Sequence, residues 1–427
     1  MIQNGPHLLD RIPPDLRHLP SVLIYMVGLS SGFALGMVTL LVPLFVLHLG
    51  YDAAAVGLVV SSQSIFQVPL RFMAGALSDR FGERSVLWIS FAFLALGAAG
   101  MMLSTSLWVI FPLQIIIGIA RSIYWTPSQS YASRSYGANP SIVIGRQVSF
   151  EAMGQMSGAA AAGFAVVAFG YSTAFGIGAG LAIAGAMVVT LMPRLARKEA
   201  PRTIRASLAP IPGLLRNRTL HLAGIIAFVS ATVISLQGSV YPVFLKEAGY
   251  DEAGIGVLRA VNSVGTMVVA FIFGVIVGNF GQRRLMGFSL ALIGGLVLLS
   301  TLVAETLWAA VLVFLVMGII YANLRSLYPT MGAQNSSAEQ RGMAISVVGM
   351  YWGVAQLIIP LTFGFIAKYL GAAESLWIAA GLFITLSVLT PLLFRLLGPT
   401  PPASSLQHHH PEGTTPHQRP HSQGDSA

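Results

Sequence analysis

Long apolar runs separated by short polar turns make up most of the chain. A helix needs roughly 20 mostly apolar residues to cross a bilayer, and runs of this length recur along nearly the whole sequence. The pattern therefore predicts an all-α membrane protein with twelve transmembrane helices. The predicted spans are residues 21–48, 53–76, 85–104, 108–131, 142–169, 172–193, 219–246, 253–277, 285–303, 307–331, 342–368 and 375–397.

Basic residues in the predicted loops fall almost entirely on one side of these spans. The loops on the side of residue 1 contain most of the Arg residues, whereas the opposite loops collect acidic residues and hold Lys246 and Lys368 only at helix ends. Lys and Arg are enriched in cytoplasmic loops. We therefore expect a multi-pass protein of the cell membrane with both termini in the cytoplasm.

Composition narrows the possible functions. Only 9% of residues are charged and 55% are hydrophobic, whereas soluble domains carry about 25% charged residues. The net charge of +9 is explained by membrane topology without nucleic acid. The absence of Cys removes disulfides and thiolate metal sites, and no pattern predicts a cofactor, a metal site or an enzyme. Residues 1–20 contain no apolar segment typical of a cleavable signal peptide.

The sequence repeats itself at an offset of 199 to 200 residues. Pro43-Leu44-Phe45 recurs as Pro242-Val243-Phe244, and Gly82 recurs as Gly281. Two six-helix halves in the same orientation are therefore predicted. The expected domains are a cytoplasmic segment 1–20, an N-terminal bundle 21–193, a basic linker 194–218, a C-terminal bundle 219–397 and a disordered cytoplasmic tail 398–427, in which His408, His409 and His410 are read as solvated.

A charged turn lies between the second and third spans. Its polar residues cannot lie in hydrocarbon, so they mark a membrane surface. The ten residues 75–84 match the pattern G-x-L-x-D-R-x-G-x-R, which resembles the loop signature of the major facilitator superfamily. The matching residues that we take as a gating motif are Gly75, Asp79, Arg80, Gly82 and Arg84.

This resemblance implies two pseudo-symmetric bundles that alternate access to a substrate site lying between them near the middle of the bilayer. It also implies that the charged turn holds the two halves together on the cytoplasmic side. Asp79 would then contact the start of span 11, near Arg341 and Gly342.

Five ionisable residues lie within the spans, where each needs a partner or a cavity. They are Arg71, Arg121, Glu151, Arg259 and Arg325. Glu151 lies about 14 Å and Arg121 roughly 10–15 Å from the cytoplasmic surface, on consecutive spans. We expect them to pair or to share a water network. Glu151 is the candidate for proton coupling, with a static ion pair that braces spans 4 and 5 as the alternative.

The other arginines leave alternatives open. Arg259 would bind an anionic group of the substrate, or it would hold an outer gate with Asp52 or Glu247. Arg71 is interpreted as an ion-pair partner of the gate. Arg325 is expected to snorkel to the surface or to pair with the N-terminal half.

Polar and aromatic residues repeat at helical spacing on several spans and are typical of a face that lines an aqueous pathway. The predicted substrate cavity consists of Gln63, Gln67, Gln114, Trp125, Gln147, Gln155, Arg259, Asn262, Tyr321, Tyr351 and Gln356.

The sequence matches the antiporter branch of the major facilitator superfamily only in part. Gly154 and Gly158 match its span-5 glycine pattern G-x-x-x-G-P-x-x-G-G, but Ala159 stands in place of the proline. Gln114 stands where that branch has Arg, four residues before Gly118.

We therefore predict a secondary transporter, active as a monomer, that exports small organic or amphipathic compounds and is coupled to protons. Transport of an anionic solute by the intramembrane arginines is the alternative. A receptor or scaffold that does not transport is the remote one.

Overall fold

A computed structural model of the chain describes residues 14–135, 140–195, 211–336 and 341–398. Within these ranges the secondary structure is helical, with no β-strand. The helices are α1 (Leu19–His48), α2 (Ala53–Ser62), α3 (Gln67–Phe81), α4 (Glu83–Met102), α5 (Leu107–Ser135), α6 (Pro140–Leu191), α7 (Ile211–Leu214), α8 (Arg218–Gly238), α9 (Val240–Glu247), α10 (Glu252–Phe280), α11 (Gln282–Leu302), α12 (Leu307–Gln334), α13 (Arg341–Leu370) and α14 (Ala372–Leu397), after a 3-10 turn at Pro14–Arg17.

The helices account for the twelve predicted crossings. Ten stretches in the described ranges are long and apolar enough to span a membrane. One of them, Ile142–Leu191, turns at Gly170, whose φ of 81° suits glycine, and it supplies two crossings. The 29-residue α10 supplies one more. Two crossings are each built from two helices. One consists of α2 and α3, and the other consists of α8 and α9, which are joined at Ser239.

The same backbone devices recur in the two halves. Gly82 joins α3 to α4 with φ 85° and ψ 146°, and Gly281 joins α10 to α11 with φ 71° and ψ 154°. Asp52 caps α2 and Asp251 caps α10, each by accepting a hydrogen bond from the N–H group three residues later. The fold is therefore the all-α, two-bundle fold predicted from the repeat.

Glycines bring α1 and α6 into backbone contact in the N-terminal half. A Cβ atom at Gly32 would overlap the carbonyl oxygen of Glu151, and one at Gly158 would overlap that of Phe33. Small residues allow such close approach of membrane helices. This contact positions the polar face of α6 that carries Glu151.

The beginning of the chain is anchored to α6. Asp15, in the 3-10 turn, accepts hydrogen bonds from Tyr25 Oη at 2.7 Å and from Arg146 Nη1 at 2.6 Å. Burial opposes ionisation of this carboxyl, but the two hydrogen bonds and the charge of Arg146 outweigh it and lower the pKa of Asp15.

The two halves pack closely on one side of the membrane region. We call the side where α1 begins and α14 ends the termini face, and the side with the α1–α2 and α9–α10 turns the opposite face. Near the opposite face α2 packs on α13 and α6 packs on α10. A Cβ atom at Gly57 would overlap the carbonyl oxygen of Pro360, and one at Gly163 would overlap that of Glu252. The halves are thus in backbone contact there.

Polar side chains reinforce this contact at the opposite face. Lys368 Nζ lies 2.9 Å from Asp52 Oδ2. Tyr171 Oη donates to Glu252 Oε1 at 2.9 Å, and Lys246 Nζ lies 2.7 Å from the same oxygen. The backbone N–H at the start of α2, followed by Lys368, lowers the pKa of Asp52. These contacts close the opposite face in this conformation.

Candidate functional site

A buried polar stripe on α6 forms the centre of the candidate site. Gln147 is fully buried and Glu151 is only 7% exposed. The side-chain amides of Gln147 and Gln155 donate to the two carboxylate oxygens of Glu151, each at 3.4 Å. Among the described residues, Glu151 is the one carboxylate that lies more than two turns from the end of a long helix. It is held by neutral amides in the protein interior.

The neighbouring helix α5 extends this network. Gln129 Nε2 donates to Gln147 Oε1 at 2.6 Å, and Gln147 Nε2 lies 3.4 Å from Tyr124 Oη. These groups can accept or donate in either protonation state of Glu151, because amides and hydroxyls do both.

Arg121 and Glu151 do not form a direct ion pair, which was one of the two expected arrangements. No ion pair joins Arg121 to Glu151 within 4.0 Å among the described residues; Arg121 Nη1 instead donates to Gln63 Oε1 at 3.3 Å. Arg325, from the C-terminal half, and Arg121 are the positive charges that act on the Glu151 carboxylate. The second guanidinium group therefore comes from α12.

Arg71 contacts the other half through its backbone. Its Nη1 donates to the carbonyl oxygen of Gly349 on α13 at 2.9 Å. A Cβ atom at position 349 would overlap the guanidinium group. Arg71 thus makes a hydrogen bond between the halves, on the side of the termini face. Its predicted ion pair with the gate stays a prediction, because the side chain of Asp79 lies outside what the structure describes.

The charged turn at Gly82 is braced by contacts within the N-terminal half. Glu83 forms an ion pair with Arg134 and accepts a hydrogen bond from Ser130 Oγ at 2.9 Å. Arg84 donates to the carbonyl oxygen of Thr190.

Of the remaining motif residues, the structure describes Gly75 and the side chain of Arg80. The Arg80 guanidinium lies 5.3 Å from the ring centre of Phe81. A Cβ atom at Gly75 on α3 would lie 3.9 Å from Cγ2 of Thr126 on α5. The side chains of Asp79, Arg341 and Gly342 lie outside what the structure describes, so the predicted contact of Asp79 with span 11 stays a prediction.

Three of the predicted cavity residues are buried amides whose oxygen atoms have no hydrogen-bond partner. They are Gln67, Gln114 and Gln356. A Cβ atom at Gly353 of α13 would lie 3.8 Å from Oε1 of Gln67, and Gln356 lies one turn further along that helix face. Trp125 is partly buried and shares a helix face with Gln114. Unsatisfied buried amides are costly, so these oxygens are candidates for contacts with substrate or water.

Arg259 lines a small cavity near the opposite face. Its Nη1 donates to the backbone carbonyl of Gln237. Asn262, one turn further along α10, donates to the carbonyl of Phe314 at 3.0 Å. Arg259 makes no contact with Asp52 or Glu247 in this conformation, and Asp52 pairs with Lys368 instead. The outer-gate alternative for Arg259 is therefore not seen here.

The two tyrosines predicted to line the cavity, Tyr321 and Tyr351, have different surroundings. Tyr321 is 2% exposed on α12. Tyr351 Oη lies 2.6 Å from Nδ1 of His221, whose Nε2 lies 2.8 Å from the carbonyl oxygen of Leu215. Tyr351 thus links α13 to α8 within the C-terminal half.

Sequence reasoning missed Gln129, His221 and Gln237. Gln129 lies between Ser128 and Ser130 on α5, whereas His221 and Gln237 lie in mostly apolar stretches of α8. All three lie inside predicted spans, so a polar side chain within an apolar run is the signal that marks them.

A family model decides the identity of the chain. The model described as Major Facilitator Superfamily matches residues 24–234 and again residues 223–420. The chain belongs to the major facilitator superfamily. The two matches correspond to the two bundles, so the repeat read from the sequence is a repeat of the family unit.

Characterised and uncharacterised relatives agree with this assignment. The chain is 22% identical over 359 residues to "Multidrug resistance protein 2" of Bacillus subtilis (strain 168), covering 79% of this chain and 87% of that protein. It is 26% identical over 275 residues to an uncharacterized MFS-type transporter of Mycobacterium tuberculosis (strain CDC 1551 / Oshkosh), covering 60% of this chain and 65% of that protein.

Solved structures show the same fold. The crystal structure of the nucleoside transporter NupG is similar with a TM-score of 0.73 and 14% sequence identity, covering 88% of this chain and 99% of that chain. At this identity the likeness concerns the fold alone. The chain is therefore a multi-pass membrane transporter of the major facilitator type.

Proposed function

We propose that this protein exports small organic or amphipathic compounds across the cell membrane in exchange for protons, with both termini in the cytoplasm. One observation carries the proposal: Glu151 is a buried carboxylate held by neutral amides at 3.4 Å rather than by an ion pair among the described residues. A carboxylate that is desolvated and not neutralised by direct contact can take up a proton. Glu151 is thus the proposed proton carrier.

Protonation of Glu151 would change the forces between the two halves. The charge of Arg325 acts on Glu151 from the C-terminal half, while Arg121 acts from the N-terminal half, to which Glu151 itself belongs. An ionised Glu151 attracts Arg325 and favours contact of the halves on the termini face. Loss of that charge weakens the attraction, so proton uptake would favour a different arrangement of the halves.

Substrate would bind among the buried amides and aromatic residues between the bundles. Gln67, Gln114 and Gln356 offer unpartnered amide oxygens, and Trp125 offers a partly buried ring. Apolar walls with few polar groups suit small amphipathic compounds. The relative named as a multidrug resistance protein, at 22% identity, supports export of such compounds.

The test uses purified protein in proteoliposomes with a pH-sensitive dye inside. A panel of cationic, neutral and anionic compounds is added without an imposed gradient. We expect compounds that are transported to move protons in wild-type protein and not in Glu151→Gln, while exchange of labelled substrate continues in the variant.

The matched control is Glu305→Gln, which removes an exposed carboxylate from the turn before α12. It should leave proton movement unchanged. Proton movement of wild-type size in Glu151→Gln would show that another group carries the proton.

A further inference from the structure

The cavity around Arg259 contains a positive charge that is not neutralised. Of the five N–H groups of the guanidinium, one is used in the bond to the carbonyl of Gln237. No carboxylate in the described ranges forms an ion pair with Arg259. Of the acids at the opposite face, Asp52 pairs with Lys368 and Glu252 with Lys246, and Glu247 forms no ion pair with Arg259.

An uncompensated arginine inside a membrane protein is costly, because the interior solvates its charge poorly. Its free N–H groups are directed in a planar fork that fits a carboxylate. An anion that the polypeptide does not itself supply would compensate this charge.

A second polar group points to the same ligand. Gln237 is 4% exposed and lines the cavity, and its Oε1 has no hydrogen-bond partner. Its Nε2 has only the thioether sulfur of Met317, at 3.6 Å. This amide is free to turn and present its N–H group to an anion held by Arg259.

The rest of the cavity is apolar and comes from both halves. Its walls include Leu40 of α1, Ile255 of α10 and Phe314 of α12. Arg259 itself is only partly buried, but apolar walls beside it strengthen its attraction for an anion relative to bulk water. Because Leu40 belongs to the N-terminal half, the bound group would touch both bundles.

We propose that Arg259 and Gln237 form a binding subsite for a single anionic group, such as a carboxylate, carried by the transported compound. The proposal rests on the proposed function in treating the anion as part of a substrate, and it narrows the substrates to amphipathic acids. The binding site itself can be tested without transport.

The experiment measures thermal unfolding of the purified full-length protein in detergent at constant ionic strength, set with sodium sulfate. The probes are sodium benzoate, benzyl alcohol and sodium chloride. Benzyl alcohol matches the ring of benzoate without its charge. A ligand of the folded state raises the unfolding temperature in a saturable way.

We expect benzoate to stabilise wild-type protein saturably and benzyl alcohol to have no such effect. Arg259→Gln should weaken benzoate binding by about tenfold or more, because it removes a charge-assisted contact. Arg259→Lys keeps the charge but loses the planar fork of N–H groups. Its affinity for benzoate should therefore lie between those of wild type and Arg259→Gln. Arg283→Gln, which removes an exposed arginine on the termini face, should bind benzoate like wild type.

Equal stabilisation by benzyl alcohol and benzoate, or unchanged benzoate binding in Arg259→Gln, would overturn the proposal. Saturable stabilisation by chloride that benzoate cannot displace would support an anion site and overturn its assignment to substrate. If Arg259→Gln cannot be purified, Gln237→Met gives the same test with the charge intact, and it should weaken benzoate binding while leaving the cavity filled.

The outcome is separable from that of the proposed function. Benzoate binding that persists in Glu151→Gln, with proton movement lost, supports both proposals. Proton movement that persists in Glu151→Gln overturns proton coupling by Glu151 and leaves the anion subsite standing.

Discussion

The two halves of the protein share their backbone devices and differ in their chemistry. Gly118 packs on the carbonyl oxygen of Gln63, and Gly318 packs on that of Asn262, at an offset of 199 to 200 residues. In contrast, Arg121 in the N-terminal half corresponds to Tyr321 in the C-terminal half. At these positions the glycines that permit a close approach are retained, whereas the charge of Arg121 is not.

The two turns that follow α3 and α10 illustrate the same difference. Both contain a glycine with positive φ, at Gly82 and Gly281. The residue after the first turn is Glu83, which pairs with Arg134. The residue after the second is Gln282, whose Nε2 donates to Gln334 Oε1 at 2.7 Å. A charged contact has a neutral counterpart at the equivalent place, so the geometry survives the loss of charge.

The largest expected effect tests the shared backbone contacts. Gly118→Ala and Gly318→Ala each place a Cβ atom onto a carbonyl oxygen of a neighbouring helix. The helices must move apart, which costs about 1–3 kcal/mol or more. Both variants should unfold at markedly lower temperature in detergent, by similar amounts.

Gly180→Ala and Gly295→Ala are the controls, one in each half, because an added Cβ meets no atom within 4 Å at either position. They should match or slightly exceed wild-type stability. A normal unfolding temperature for Gly118→Ala would show that the close approach is not required.

A smaller effect should separate the two turns. Glu83→Gln removes the charge of a partly buried contact with Arg134, whose loss costs about 1–2 kcal/mol. Gln282→Ala removes only an exposed amide contact, so its effect should be within about 0.5 kcal/mol. Unfolding temperatures of both variants, with Arg134→Gln added to complete a double-mutant cycle, measure the difference. Equal losses at the two turns would remove the proposed asymmetry.

The smallest expected effect concerns the Asp52–Lys368 contact, which joins the halves at the opposite face. Because the pKa of Asp52 is lowered, its contribution is present at neutral pH and is lost only as the pH falls through that lowered value, below about 4. Asp52→Asn should therefore open the opposite face slightly, by the same amount at pH 5 and at pH 8.

The chain has no Cys, so spin labels can be placed at Leu103→Cys and Leu302→Cys, which are exposed and equivalent in the two halves. Their separation, measured in wild type and in Asp52→Asn, reports the opening. A difference between the two proteins that shrinks between pH 8 and pH 5 would mean that Asp52 titrates in that range.

The sequence by itself determined the fold of this protein. Apolar runs long enough to cross a bilayer leave only helices, since every backbone group must be satisfied internally. The offset of 199 to 200 residues between Gly82 and Gly281, and between Asp52 and Asp251, revealed the two halves. The sequence also located Glu151 and Arg259, because a charged residue within an apolar run is easily recognised.

Only the tertiary structure decided the partners of those charges. Depth along the helices predicted that Glu151 and Arg121 pair or share a water network. In the structure Arg121 donates to Gln63 instead of pairing directly with Glu151, and the charge of Arg325 acts on Glu151 from the other half. Arg259 meets the amide of Gln237, which no periodic pattern marks. Partners on separate helices depend on the rotation and packing of each helix, and a linear sequence does not contain those angles explicitly.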